Sequence, residues 1–263
     1  MIMGAGCRTR AAASQAQLVA DAGELGLGGL AESVAAFYAS LPTEGLMELI
    51  IGPRLYSTWS LRPWLVLKRC KADFSVREID IYSPDGQAEL ERISPSRLVP
   101  LLRVEGETVW DSMAISVWCA ERYPEAGLWP ADAHARWLAR SAACEMHGGF
   151  MGLRTDCGMG PDHTMVGPDR SPPPAGESVE RDIRRIVSLW KETRNRFGAG
   201  GPYMFGEWSV PDAFYTPVAA RFRHFQIDLT AFGDDDGTAA AYRDVLLSQP
   251  DFLEWSAEAL AGR

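Results

Sequence analysis

The sequence has no CxxC pair. Cys7, Cys70, Cys119, Cys144 and Cys157 are scattered through 263 residues, and their number is odd. A disulfide framework uses even, regularly spaced cysteines, so a reducing cytoplasmic setting is the simplest expectation. Histidine is scarce. His134, His147, His163 and His224 share no ligand spacing with one another or with a cysteine, which argues against a resident metal. No run approaches the roughly 20 apolar residues that cross a bilayer. Excess positive charge is missing too. With a formal net charge of −9, the chain has no electrostatic footprint for nucleic acid or an anionic membrane. Arg8, Arg10 and the alanine-rich stretch 11–20 suggest a targeting segment at first sight. Ser14, Gln15 and Gln17 interrupt it, and Asp21 and Glu24 follow, so no signal peptide is assigned.

What is present is an ordinary globular composition, 46% hydrophobic and 23% charged, sized for one large or two modest domains. Residues 1–46 read as an N-terminal extension, either a mis-assigned start or a loosely attached tail. Leu30, Val34, Phe37 and Leu41 recur there at helical spacing, while Gly23, Gly26, Gly28 and Gly29 oppose a long helix. Residues 47–125 read as βαβαββα. Strands are predicted over 47–52, 74–81, 101–104 and 108–110, and helices over 59–71, 85–93 and 112–123. Pro63 is placed in a first helical turn, and Gly106 marks a hairpin turn. Strands alternating with helices imply a sheet with parallel members.

Residues 126–135 read as a linker, and 136–263 as an all-α domain with no convincing strand. Helical patterns cover about 132–157, 178–197, 210–225, 238–247 and 252–260. Ser209-Val210-Pro211-Asp212 has the form of a helix N-cap with an acidic partner in the first turn. Trp118, Trp190 and Trp255 read as core. Between the first two helical patterns, 158–177 is rich in proline and glycine and longer than an ordinary connection, so it is either disordered or functional.

The most informative stretch is Ser57-Thr58-Trp59-Ser60, small hydroxyls where a strand hands over to a helix. A helix start offers free N–H groups and positive dipole, and holds an anion such as a thiolate. Val99-Pro100 precedes the third strand, and Asp111-Ser112-Met113-Ala114-Ile115 opens the next helix. Taken in order, these motifs resemble the glutathione S-transferase family, in particular its serine-type bacterial members, from about residue 47 to the C-terminus. The resemblance implies a thioredoxin-like α/β domain with a cis proline, then an all-α domain.

It also implies site residues. Ser57 is the candidate hydroxyl that steadies the glutathione thiolate, with Tyr56 as runner-up; the competing reading of Ser57 is a plain helix cap. Thr58, Trp59, Arg97, Val99, Pro100, Asp111 and Ser112 are the candidate glutathione contacts. Val99 offers its backbone to the cysteinyl part, Asp111 accepts from the γ-glutamyl ammonium, and Ser112 bonds the carboxylate. Asp111 and Ser112 also read as an ordinary helix cap. Many relatives carry Gln or Lys before Val-Pro, where this chain has Leu98; either Arg97 substitutes at the glycyl end or the glycyl carboxylate is held less well. Arg62 reads as a structural ion-pair residue. The turn has no cysteine, which disfavours mixed-disulfide chemistry.

His147, Met151 and Arg154 are the candidate second-substrate residues, beside the unusual glycines 148, 149 and 152; ordinary helix packing is the competing reading. The implied activity is attack of glutathione, as co-substrate and without a metal, on a small hydrophobic electrophile. Alternatives are a maleylacetoacetate isomerase-type cis–trans isomerisation and a non-catalytic binding or scaffold role. The family resemblance further implies a homodimer.

Overall fold

The computed structural model describes residues 47–262; the reading of 1–46 as an extension lies outside them. Strand β1 (Met47–Ile51) is followed by α1 (Thr58–Arg69), β2 (Phe74–Glu78), α2 (Pro84–Ile93), β3 (Leu101–Val104), β4 (Glu107–Trp110) and α3 (Ser112–Arg122). The sheet order is β2-β1-β3-β4. β1 and β2 run parallel, while β3 is antiparallel to both β1 and β4. The alternation of β1 sets its two faces. Leu49 and Ile51 belong to the main core, whereas Ile50 joins Ile79, Leu90 and Leu101 under α2. The thioredoxin-like element order is as predicted; β2 is shorter than expected because Ile79 onward leaves the sheet.

The helical part comprises α4 (Ala133–Gly148), α5 (Met151–Asp156), α6 (Glu177–Phe197), α7 (Val210–His224), α8 (Thr238–Ser248) and α9 (Pro250–Ala261). α7 is buried on nearly every side. α1 packs against both α3 and α7, so the helix that follows the hydroxyl turn is shared by sheet and bundle. Trp190 and Trp255 are fully buried as expected, whereas Trp118 is half-buried at the core edge.

Two local expectations change. Helix α1 begins at Thr58, which moves Pro63 from the first turn into the helix; lacking an N–H, Pro63 cannot serve the Trp59 carbonyl. The continuous helix expected over 132–157 breaks at Gly149-Phe150, where Phe150 adopts φ +58°. Arg154 folds back across the break and donates from Nε to the Gly149 carbonyl (2.9 Å) and from Nη2 to the His147 carbonyl (3.3 Å). Gly152 is required by packing: a Cβ there would sit 2.6 Å from the Ser178 backbone, and α5 and α6 lie in close contact.

The 158–177 segment is pinned down. Met165 and Val166 are buried, the Met165 N–H donates to the Leu55 carbonyl (2.7 Å), and the Ser171 N–H donates to the His224 carbonyl (2.9 Å).

Candidate active site

Ser57 is 7% exposed and precedes α1 without capping it through its side chain. Its hydroxyl donates to Ser60 Oγ (2.8 Å), which also accepts from the Gly52 N–H (3.1 Å). The helix-cap reading of Ser57 therefore has no side-chain bond behind it. Tyr56 stands edge-on to Tyr82, ring centroids 5.6 Å apart. Burial, aided by Tyr82 and by the carboxylates of Asp80 and Glu78, raises its phenol pKa, which makes it a poorer proton donor than an unperturbed tyrosine.

Two cavities meet over this turn, sharing Trp59, Leu98 and Val99. The smaller, about 410 Å³, is lined by Pro100, Trp110, Asp111, Ser112 and His147 among others. The Val99–Pro100 peptide is cis. Asp111, at φ +78°, caps α3 through Oδ1, which accepts from the N–H groups of Met113 (2.7 Å) and Ala114 (3.2 Å). Its Oδ2 lies 3.2 Å from His147 Nε2. Burial, reinforced by Arg62 and Arg154, lowers the His147 pKa despite the pull of Asp111. Ser112 is 1% exposed and its Oγ has no partner. A buried unpaired hydroxyl beside a helix start is arranged to meet a ligand oxygen.

The larger cavity, about 610 Å³, is lined by Ser57 and Thr58 at the turn, by Tyr82, Gln87 and Arg97 on the sheet side, and by Arg154, Met159 and Arg221 on the helical side. Arg221 is buried. Its Nε donates to the Cys157 carbonyl (3.0 Å), its Nη2 reaches Thr58 Oγ1 (3.5 Å), and its Nη1 has no partner. Burial, with Arg154 nearby, lowers its pKa to about 10, so it stays protonated at neutral pH. Arg62 lies beneath, fully buried between the rings of Trp59 (4.2 Å) and Phe214 (4.9 Å), with none of its nitrogens hydrogen-bonded. The expected ion pair of Arg62 is not formed. Aromatic faces replace a carboxylate, and burial pushes its pKa well down.

Three comparisons bear on this geometry. Residues 56–122 match the family model described as the glutathione S-transferase N-terminal domain. A probable maleylacetoacetate isomerase of Caenorhabditis elegans is 23% identical over 194 residues, covering 68% of this chain and 83% of the relative. A zeta-class glutathione S-transferase of Euphorbia esula is 29% identical over 146 residues, covering 55% and 62%. Residues 56–122 are thus similar to the N-terminal domain of glutathione S-transferases. The fold agrees. A glutathione transferase homologue from Burkholderia gl BGR1, solved with bound glutathione, superposes with a TM-score of 0.60 at 22% identity, covering 82% of this chain and 99% of that one. Poplar glutathione transferase F1 gives 0.62 at 16% identity, with 82% and 99% covered.

Within this glutathione S-transferase fold the sequence-predicted residues divide. Ser57, Thr58, Trp59, Arg97 and Val99 line the larger cavity; Pro100, Asp111 and Ser112 line the smaller. Arg97, at φ +58°, is exposed and pairs with Glu91 (3.1 Å). Of the three second-substrate candidates only Arg154 lines the larger cavity. His147 faces Asp111 in the smaller one, and Met151 is 64% exposed and lines neither. Sequence reasoning missed Arg221, Met159, Tyr82 and Gln87. Arg221 stands mid-pattern in a helix whose periodicity marks burial, and a buried arginine without a counter-charge is the signal that was available.

Proposed function

We propose that the paired cavities bind glutathione and that its thiolate attacks a small electrophile. The observation that carries this is the hydroxyl at residue 57, uncommitted to capping, at a helix start beside Val99 and Ser112. The γ-glutamyl end lies in the smaller cavity. Its carboxylate meets Ser112, and its ammonium meets Asp111, whose Oδ2 is not used in capping. The Val99 backbone takes the cysteinyl part, and Arg97 takes the glycyl end.

A free thiol with a pKa near ~8.5 gives little thiolate at neutral pH. Ser57 lowers that pKa by donating to the sulfur. In the resting protein its proton goes to Ser60. If Ser60 donates to Ser57 instead, the Ser57 proton is freed for the sulfur while Ser60 keeps its bond from Gly52. The positive end of α1 and the buried guanidiniums of Arg62 and Arg221 favour the same anion. Conjugation is the first reading. Glutathione-dependent cis–trans isomerisation is the second, supported by relatives named maleylacetoacetate isomerase. There the thiolate adds to a double bond, the new single bond rotates, and the thiolate leaves again. The exposed Trp110, Val117 and Trp137 support a homodimer.

The test is Ser57→Ala. Charge-assisted hydrogen bonds are strong enough that kcat/KM falls about 10- to 100-fold and the bound thiol titrates at higher pH. A wild-type rate together with a wild-type thiol titration removes Ser57 from this role.

A further inference from the structure

We propose that the site reads its thiol at the γ-glutamyl and cysteinyl parts and leaves the glycyl carboxylate almost unread, so that glutathione masked at glycine as an ester or amide binds nearly as well as glutathione itself. The inference rests on the glutathione reading above and sharpens which thiols that site takes.

The two ends of the site are built differently. At the γ-glutamyl end the Ser112 hydroxyl is buried and unpartnered, and Asp111 caps α3 through Oδ1 alone, which leaves Oδ2 outside the cap. Groups shielded from water in this way make strong hydrogen bonds to a charged ligand. The glycyl end, on the sheet side of the larger cavity, has no such group. Leu98 stands there, 67% exposed, with an apolar side chain. Its backbone is spent as well: the Leu98 N–H donates to Ser94 Oγ (3.2 Å), and Ser94 Oγ donates to the Leu98 carbonyl (2.9 Å). Arg97 is the one cation among the lining residues of this wall, and it is already paired with Glu91 (3.1 Å), the two side chains being 71% and 60% exposed.

A glycyl carboxylate arriving here shares that guanidinium with Glu91 and is repelled by Glu91 itself. Both side chains stand in water, where an ion pair is worth no more than about a fivefold change in binding. Arg154 and Arg221 belong to the opposite, helical wall, where they donate to the backbone carbonyls at 147, 149 and 157. The other polar groups of the sheet side, the Gln87 amide and the Tyr82 hydroxyl, donate to an ester or amide carbonyl as readily as to a carboxylate. Tyr82 and Leu98 are both more than half exposed, so this end of the cavity opens to water and a group attached to glycine extends outward. Leu98 is therefore a specificity-determining residue. A cationic side chain at that position would grip the free acid, and leucine gives up the grip.

The experiment titrates the full chain with glutathione, with its glycyl monoethyl ester and with its glycyl amide, and reads the three dissociation constants by calorimetry. They are expected to lie within about fivefold of one another. Leu98→Lys, a change on an exposed side chain, tightens glutathione several-fold and leaves the ester and amide where they were. Glu91→Gln shifts the preference the same way, because the competing carboxylate is gone. A penalty above about fivefold for the ester or amide in the wild type overturns the proposal, as does a preference that either variant leaves unmoved. A penalty that disappears in Arg154→Met or Arg221→Met overturns it too, by assigning the glycyl carboxylate to the helical wall. Failure of the wild type to bind any of the three thiols would instead remove the glutathione reading on which the proposal rests.

Discussion

At the N-terminus of α7 the carboxylate of Asp212 is fully buried and surrounded by donors. Oδ1 accepts from the Met204 N–H (2.9 Å) and the Tyr242 hydroxyl (2.7 Å), and Oδ2 accepts from the Ser209 N–H (2.8 Å) and Ser209 Oγ (3.2 Å). Near the other end of the same helix, Arg221 is equally buried but has neutral acceptors for two nitrogens and none for the third. Both charges are opposed by desolvation, which raises the Asp212 pKa and lowers that of Arg221. The difference lies in what each region has arranged against that cost. The Asp212 end is closed: every contact is internal and none faces a cavity. The Arg221 end is left incomplete beside open space. A satisfied buried charge holds the fold, and an unsatisfied one beside a cavity is where a ligand completes the structure.

The sharpest break in this comparison is Asp212→Ala. It orphans the Tyr242 hydroxyl and two buried N–H groups and removes the reciprocal cap of α7. Each buried orphan costs about 1–3 kcal/mol, so the loss reaches about 3 kcal/mol or more. Chemical denaturation should show a lower midpoint with an unchanged slope. A loss of less than about 1 kcal/mol would mean that the closed end is not closed.

Arg62→Met is the opposite case. It removes a fully buried guanidinium with no hydrogen bond, so the desolvation relieved offsets the lost stacking on Trp59 and Phe214. Stability should stay within about 1 kcal/mol of wild type. Glutathione affinity, read by calorimetry, should drop several-fold because a positive charge beneath the anion site is gone. A large loss of stability with unchanged affinity would move Arg62 into the structural class and blur the contrast.

The closed end was legible in the sequence and the open end was not. Ser209-Val210-Pro211-Asp212 announces a cap because its partners lie within one turn, and local geometry suffices to form it. The turn at Ser57 and the start of α3 were legible for the same reason. The fold order followed from the alternation of apolar strands with helical patterns. Arg221, Arg154 and Arg62 meet only because α5, α7 and α1 pack together, and no spacing along the chain records that. Phe150 shows the same limit. Its left-handed backbone breaks the expected helix, and Arg154 turns back across the break to cap α4 through carbonyls that sequence periodicity cannot assign. His147 shows a related limit: the α4 terminus sets it beside Asp111 at the start of α3, in the smaller cavity, a contact that no spacing along the chain records.

The smallest effect tests a third arrangement, in which two groups share one proton. His224, buried on α7, sets Nε2 3.2 Å from Nδ1 of His163, and Ser171 Oγ lies 3.2 Å and 3.3 Å from the two nitrogens. One proton between the rings makes a hydrogen bond, whereas a second turns both nitrogens into donors facing each other. Burial, His163 and Arg170 lower the His224 pKa from its model-compound value of 6.5, and Asp169 only partly opposes them. A histidine depressed in the folded state favours the neutral form there. Its contribution is therefore fully present above the unfolded value and is lost as pH falls through the lower folded value. Thermal midpoints should fall on acidification through that window, and His224→Gln should flatten the fall by about 2 °C. The depressed His147 keeps the rest of the slope in the variant. Because Ser171 also donates its N–H to the His224 carbonyl, the acid-sensitive pair sits where the 158–177 segment is tied to α7. Protease cleavage within that segment should accelerate at acid pH in the wild type before global unfolding begins. Equal acid sensitivity of wild type and His224→Gln would show that the shared proton contributes nothing to the tie.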